Sequence, residues 1–133
     1  MLKFISTTLL SLTLATTVHA DEAWDTPIGE IIYQSEEYGA AIFSFTNFDG
    51  FPAELVIPGL AGNYDQRGVH PVYYIGEGEF ECDAALSRPG GQASLNWGRG
   101  YISFDERSFP TSFTLLLGTC FDAPTDAIRA EAR

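Results

Sequence analysis

Basic side chains are scarce in this 133-residue chain, which has seven lysines and arginines against 18 aspartates and glutamates and a formal net charge of −11 at pH 7. Its one lysine is Lys3. Nucleic acids and anionic lipid surfaces attract proteins through a basic footprint, which this composition does not supply. The sequence therefore argues against nucleic acid as a partner and favours a cationic one.

Long hydrophobic runs are also missing, except at the N-terminus. Lys3 provides a positive charge, residues 4–17 are apolar apart from serines and threonines, and Ala20 ends a site suited to signal peptidase. A spanning helix needs about 20 apolar residues, so we expect a cleaved signal peptide over 1–20 and no membrane insertion after cleavage. The mature chain from Asp21 would be secreted or periplasmic and, with six arginines against 18 carboxylates, would carry a charge of −12.

Cysteine is limited to Cys82 and Cys120. An even number of cysteines in an exported chain predicts a disulfide, because the compartment outside the cytoplasm is oxidising. The chain-entropy model gives about 4 kcal/mol of stabilisation for a loop of this length.

Catalytic signatures are absent from the sequence. No G-x-S-x-G motif occurs, His70 is the one histidine beyond residue 20, and the two cysteines are assigned to the bridge. A serine or cysteine hydrolase and a catalytic zinc centre are therefore disfavoured. We predict no catalytic residue, no metal ligand and no cofactor.

The turn signals and residue types predict an all-β protein. Runs rich in aromatic and β-branched residues alternate with breaks that contain glycine and proline. Strands are predicted over 30–35, 38–46, 53–57, 72–83, 93–105 and 111–121, with a turn at 35–37. We expect a single domain over 21–121, folded as an antiparallel sandwich or barrel of about 6–8 short strands. Residues 122–133, rich in alanine and charge, are predicted to be a flexible or weakly helical tail.

The clearest local alternation lies within the predicted strand 72–83. Period-two geometry places Cys82 on the same face as Val72 and Tyr74, which we expect to face the core. The opposite face would turn its carboxylates to water: Glu77, Glu79, Glu81 and Asp83. Because alternate residues of a strand are about 7 Å apart, the four would span about 20 Å, too far to hold one calcium ion together.

Two further sets of residues are candidates for binding. The long loop 59–71 collects Asn63, Tyr64, Asp65, Arg67 and His70, and loops of this length often carry function. An alternative is that Asn63 and Asp65 cap a turn while Arg67 pairs with Asp65.

Trp97, Arg99 and Tyr101 alternate in sequence and would share one face of a strand. Such a face could stack a sugar or clamp a carboxylate. The alternative is that Trp97 belongs to the core, with Gly98 and Gly100 marking a bulge.

These observations predict an acidic exported domain that binds a macromolecule, most simply a basic exported protein, as an inhibitor or interaction module. The first alternative is a module that binds a carbohydrate or small ligand through Trp97, Arg99, Tyr101 and the loop 59–71. A small acid/base hydrolase is a weaker alternative, since it needs two carboxyls across a cleft with one of them buried.

Overall fold

The structure, a computed structural model, describes residues 22–60, 68–107 and 111–133. The predicted signal peptide over 1–20 lies outside the described residues. Within these ranges the chain forms ten strands: β1 Ala23–Thr26, β2 Gly29–Glu37, β3 Ala40–Thr46, β4 Pro52–Ile57, β5 Val69–Gly76, β6 Leu86–Ser87, β7 Ala93–Ser94, β8 Asn96–Phe104, β9 Phe113–Leu117 and β10 Asp126–Ala132. No helix long and apolar enough to cross a membrane occurs among these residues.

Eight of these strands close into an antiparallel barrel in the order β1-β10-β9-β8-β5-β4-β3-β2, while β6 and β7 pair separately. The barrel closes where Trp24 of β1 pairs with Ala132 of β10. The predicted all-β domain with one disulfide is confirmed, and of the two expected architectures the barrel is the one adopted.

Apolar side chains that alternate along the strands fill the barrel interior. Trp24 is fully buried, with its ring centroid 5.5 Å from that of Phe43 and 5.3 Å from that of Phe113. Its indole Nε1 donates a hydrogen bond of 2.8 Å to the carbonyl oxygen of Thr111. Trp24 therefore attaches the short strand β1 to both β3 and β9.

Two glycines of β8 allow close packing inside the barrel. A Cβ on Gly98 would lie 2.0 Å from the carbonyl oxygen of Gly118 and 2.5 Å from the ring of Tyr74, and one on Gly100 would lie 1.9 Å from the carbonyl oxygen of Leu116. The register between β5 and β8 continues through both glycines without a shift, so they mark no bulge on that side. On the other side the β8–β9 ladder begins at Gly100, and Gly98 makes an isolated bridge to Cys120. The two glycines leave room for Tyr74, whose hydroxyl pKa is raised by burial.

The C-terminal segment is ordered differently from the predicted tail. Asp126–Ala132 forms β10, which pairs with β9 at five positions and with β1 at two. Ile128 and Ala130 point into the barrel and are buried, while Arg129 and Glu131 point outward. The prediction of a flexible or weakly helical tail was wrong because the alternation supplies two inward side chains, and these outweigh the low strand propensity of alanine and glutamate.

The predicted strand 72–83 is also shorter than expected. β5 ends at Gly76, which pairs with Ala53 of β4 and with Asn96 of β8. Because β4 begins at Pro52 and β8 begins at Asn96, residues after Gly76 have no neighbouring strand with which to continue the ladder. The four carboxylates therefore do not share one strand face, and Cys82 does not lie on β5.

Candidate functional site

Residues 77–95, which we call the overlay segment, leave the barrel after β5 and return at β8. They pack on the outward side of the barrel and bury a second apolar cluster there. The buried members of this outer cluster are Ala40, Ile42, Val56, Ile75, Cys82 and Trp97. The segment contributes Phe80 and Leu86 as partly buried neighbours. Its two short strands pair Leu86 with Ser94 and Ser87 with Ala93.

The disulfide fastens the overlay segment to the connection between β9 and β10. Cys82 and Cys120 are bonded, with their Cα atoms 5.6 Å apart, which confirms the predicted pairing. Close to the bridge, the amide of Cys82 donates to the carbonyl oxygen of Leu95 at 2.7 Å. The indole Nε1 of Trp97 donates to the carbonyl oxygen of Ala84 at 2.8 Å. The disulfide is compatible with an oxidising compartment outside the cytoplasm.

Two asparagine side chains position the first part of the overlay segment. Asn47 donates from Nδ2 to the carbonyl oxygen of Glu77 at 2.8 Å. Its Oδ1 accepts from the amides of Asp49 and Phe51, which fixes the turn that holds it. Asn96 donates from Nδ2 to the carbonyl oxygen of Phe80 at 3.0 Å. Both asparagines are buried, so these bonds hold the backbone of residues 77–80 in a defined place.

An ion pair holds the distal part of the overlay segment to the barrel. Arg88 donates from Nε to Oε1 of Glu54 on β4 at 2.5 Å, and from Nη2 to Oε2 at 3.3 Å. Its Nη1 also donates to the carbonyl oxygen of Pro89 at 2.7 Å. The Glu54 hydrogen bond raises the pKa of the Arg88 guanidinium, which favours its charged form.

The carboxylates of the overlay segment are exposed. Glu77, Glu79, Glu81 and Asp83 all face solvent, and no ion pair among the described residues includes any of them. Glu81 and Asp83 line a cleft of about 300 Å³ together with Asp122, and Trp97 and Phe121 form part of its wall. The expectation that these carboxylates face water is met, but on an irregular segment and not on a strand.

Four carboxylates elsewhere on the barrel form ion pairs with Arg129 or Arg133. Arg129 pairs with Asp105 and with Glu131, and its hydrogen bond lowers the pKa of Asp105. Arg133 pairs with Asp25 and Glu30 and lowers the pKa of Asp25 in the same way. Both shifts favour the ionised form, which is the opposite of what a general acid requires.

Trp97, Arg99 and Tyr101 do share the outward side of β8, but they differ in access. Trp97 is only 4% exposed because the overlay segment covers it, and its ring lies 4.9 Å from that of Phe121. Arg99 donates to the carbonyl oxygen of Phe121 at 2.8 Å and stacks over the same ring at 5.7 Å. Tyr101 is 45% exposed. A three-residue stacking platform therefore does not form, and Trp97 is part of the outer cluster.

The loop candidates divide into two groups. Asn63, Tyr64, Asp65 and Arg67 lie outside the described residues. His70 belongs to β5, pairs in register with Ile102 and lies 5.7 Å, ring to ring, from Phe104. In the described ranges, no group of three or more histidines, cysteines, aspartates and glutamates is placed to hold a metal ion.

No protein-family model, curated protein or solved structure matches this chain significantly. The site is therefore interpreted from its own geometry. Sequence reasoning missed Asn47, Arg88 and Asn96, whose side chains place the overlay segment. Asn47 was recognisable as part of an N-F-D-G turn, but nothing in the sequence indicates that its amide bonds a residue 30 positions away.

Proposed function

We propose that this chain is an exported binding protein that recognises a cationic macromolecule, a basic protein in particular, through the carboxylates of the overlay segment. One observation carries the proposal. Glu77, Glu79, Glu81 and Asp83 are exposed and unpaired among the described residues, on a segment that the disulfide and two buried asparagines fix to the barrel. Export itself rests on the predicted signal peptide over 1–20.

The arrangement favours binding in two ways. Exposed carboxylates that have no ion-pair partner in the described part of the chain keep their field directed outward, so a basic partner is attracted before contact. Electrostatic steering of this kind raises association rates from about 10⁵–10⁶ to as much as about 10⁸–10⁹ M⁻¹s⁻¹ at low salt. A segment that is already ordered also avoids the entropy cost of ordering when the partner arrives.

The proposal is tested by removing the same number of negative charges at two different places on the protein. The double variant Glu79→Gln/Glu81→Gln removes two charges from the overlay segment, and Glu36→Gln/Glu106→Gln removes two exposed charges elsewhere. Each protein is assayed for its association rate with poly-lysine and with a basic protein captured from the exported fraction of the source cells.

We expect the overlay variant to slow association with the captured protein several-fold more than the control variant, and we expect added salt to reduce the difference. Poly-lysine reports the contribution of net charge alone and should respond similarly to both variants. Equal slowing of the captured protein by the two variants would show that only the total charge matters, which contradicts a site on the overlay segment.

A further inference from the structure

We propose that the Cys82–Cys120 disulfide is a redox latch: its reduction by a dithiol releases the overlay segment while the barrel remains closed. The proposal concerns the covalent attachment of residues 77–95 and does not require that the overlay segment bind a partner.

The burial of the overlay segment carries this inference. Of its 19 residues, Cys82 is the one that is buried, whereas Phe80 and Leu86 are partly exposed. The apolar surface that the segment covers belongs to the barrel strands, with Ile42, Val56 and Trp97 as its main members. Cys82 is therefore the one buried residue of the segment as well as its covalent link.

Apart from the partly buried Phe80 and Leu86, the remaining anchors are polar and distributed. They include single hydrogen bonds from Asn47, Asn96 and Trp97 to backbone carbonyl groups, and the ion pair between Arg88 and Glu54. At the two ends of the segment, Ser94 and the amide of Glu77 also donate to carbonyl groups of the barrel. Water can replace each of these partners when the segment moves away, so each contributes only modestly to holding it down. Without the bridge, local opening becomes far more frequent.

The barrel does not depend on the overlay segment for closure. None of its eight strands comes from residues 77–95, and β5 pairs with β8 over eight positions, ending at Gly76 and Asn96. Because these two residues are neighbours in the ladder, the segment begins and ends at one place and can swing out as a loop. The buried residues of the interior, among them Trp24 and Phe43, share none of their number with the outer cluster, and Phe80 of the overlay segment packs against both from a partly buried position.

The bridge is within reach of a reductant. Both half-cystines line the cleft that contains Glu81, Asp83 and Asp122, and Cys120 is partly exposed. One thiolate of a dithiol attacks a bridge sulfur to form a mixed disulfide, and the other cysteine leaves as a thiolate that takes up a proton. The second thiol of the reductant then displaces the remaining cysteine, so two protein thiols and one oxidised dithiol result. The three carboxylates favour a neutral or cationic dithiol over an anionic one.

Hydrogen exchange followed by mass spectrometry tests the latch directly. The oxidised protein is compared with protein reduced by dithiothreitol, and with the double variant Cys82→Ala/Cys120→Ala. We expect amides of residues 77–95 to exchange about 30-fold faster or more once the bridge is lost, while amides of β2, β3 and β4 remain slow. The strand content seen by circular dichroism should persist.

A matched control breaks another anchor and keeps the bridge. Arg88→Gln in the oxidised protein removes the ion pair with Glu54, and we expect it to speed exchange in 77–95 much less than reduction does. Two results would overturn the latch: loss of protection in the barrel strands together with the segment, or unchanged protection of the segment after reduction. Equal effects of Arg88→Gln and of reduction would also overturn it.

Discussion

The barrel and the overlay segment are held by different interactions. The barrel strands share continuous ladders and an interior packed with large side chains such as Trp24, Phe43 and Phe113. The overlay segment has one buried residue, Cys82, and is otherwise held by the partly buried Phe80 and Leu86 and by polar contacts. Stability therefore resides mainly in the barrel, and the overlay segment can change its surface at small cost to folding.

The two regions also differ in how their carboxylates are paired. On the barrel, Asp25, Glu30, Asp105 and Glu131 form ion pairs with Arg129 or Arg133. The overlay segment has one arginine, Arg88, which is directed at Glu54 of the barrel and not at the carboxylates of its own segment. The segment consequently presents a concentrated negative surface, which is the basis of the proposed function.

The two tryptophans provide the strongest test of this contrast. Trp24→Ala should lower the free energy of unfolding by about 3–5 kcal/mol, because it empties the barrel interior and removes the hydrogen bond to Thr111. Trp97→Ala should cost less, since the overlay segment can settle onto the smaller side chain. Urea unfolding followed by circular dichroism gives both values. Equal losses would show that the outer cluster stabilises the barrel as much as its interior does.

A second change tests how tightly β8 fits its neighbours. Gly100→Ala should destabilise the protein by about 1–3 kcal/mol or more, because the new Cβ would meet the carbonyl oxygen of Leu116 and the strands must separate. Ser103→Ala, at an exposed position of the same strand, is the control and should change stability by less than about 0.5 kcal/mol. A neutral Gly100→Ala variant would mean that the β8–β9 contact can adjust.

The sequence predicted the barrel better than the overlay segment, for a physical reason. Strands whose side chains alternate between a packed interior and an outer surface have a period that can be counted. The five strands expected over 30–57 and 93–121 correspond to β2, β3, β4, β8 and β9, and the first part of 72–83 corresponds to β5. The first turn was displaced: it occurs at Tyr38 and Gly39, which have φ angles of 50° and 85°, and not at 35–37.

The overlay segment could not be predicted because the sequence shows its alternation of side chains but not which strands lie beside it. Residues 77–83 read as a continuation of the strand, yet a strand requires a partner on at least one side, and whether one exists is decided by where β4 begins and β8 begins. The side chains that place the segment, Asn47 and Arg88, act on residues about 30 positions away. Contacts of this kind follow from the closed fold and have no local signature.

Neutralising the overlay carboxylates should leave folding almost unchanged. Glu79→Gln/Glu81→Gln is expected to shift the free energy of unfolding by no more than about 0.5 kcal/mol, since both side chains are exposed and have no ion-pair partner among the described residues. Urea unfolding at two salt concentrations measures the effect. A large loss in the free energy of unfolding would show that these carboxylates support the fold. It would contradict the division between a barrel that provides stability and a segment that provides the binding surface.

The smallest expected effect concerns an ion pair of the barrel and disappears in acid. The hydrogen bond from Arg129 lowers the pKa of Asp105 below its ordinary value of 3.8, so the folded state binds that proton less readily than the unfolded state does. The stabilisation from Asp105 is therefore fully present above the ordinary pKa and is lost as the pH falls through the lowered pKa of the folded state. Unfolding of the wild type and of Asp105→Asn, measured between pH 7 and pH 2, should show a small constant difference at neutral pH that shrinks below about pH 4. A difference that stays constant down to pH 2 would show that Asp105 acts through packing and not through its charge.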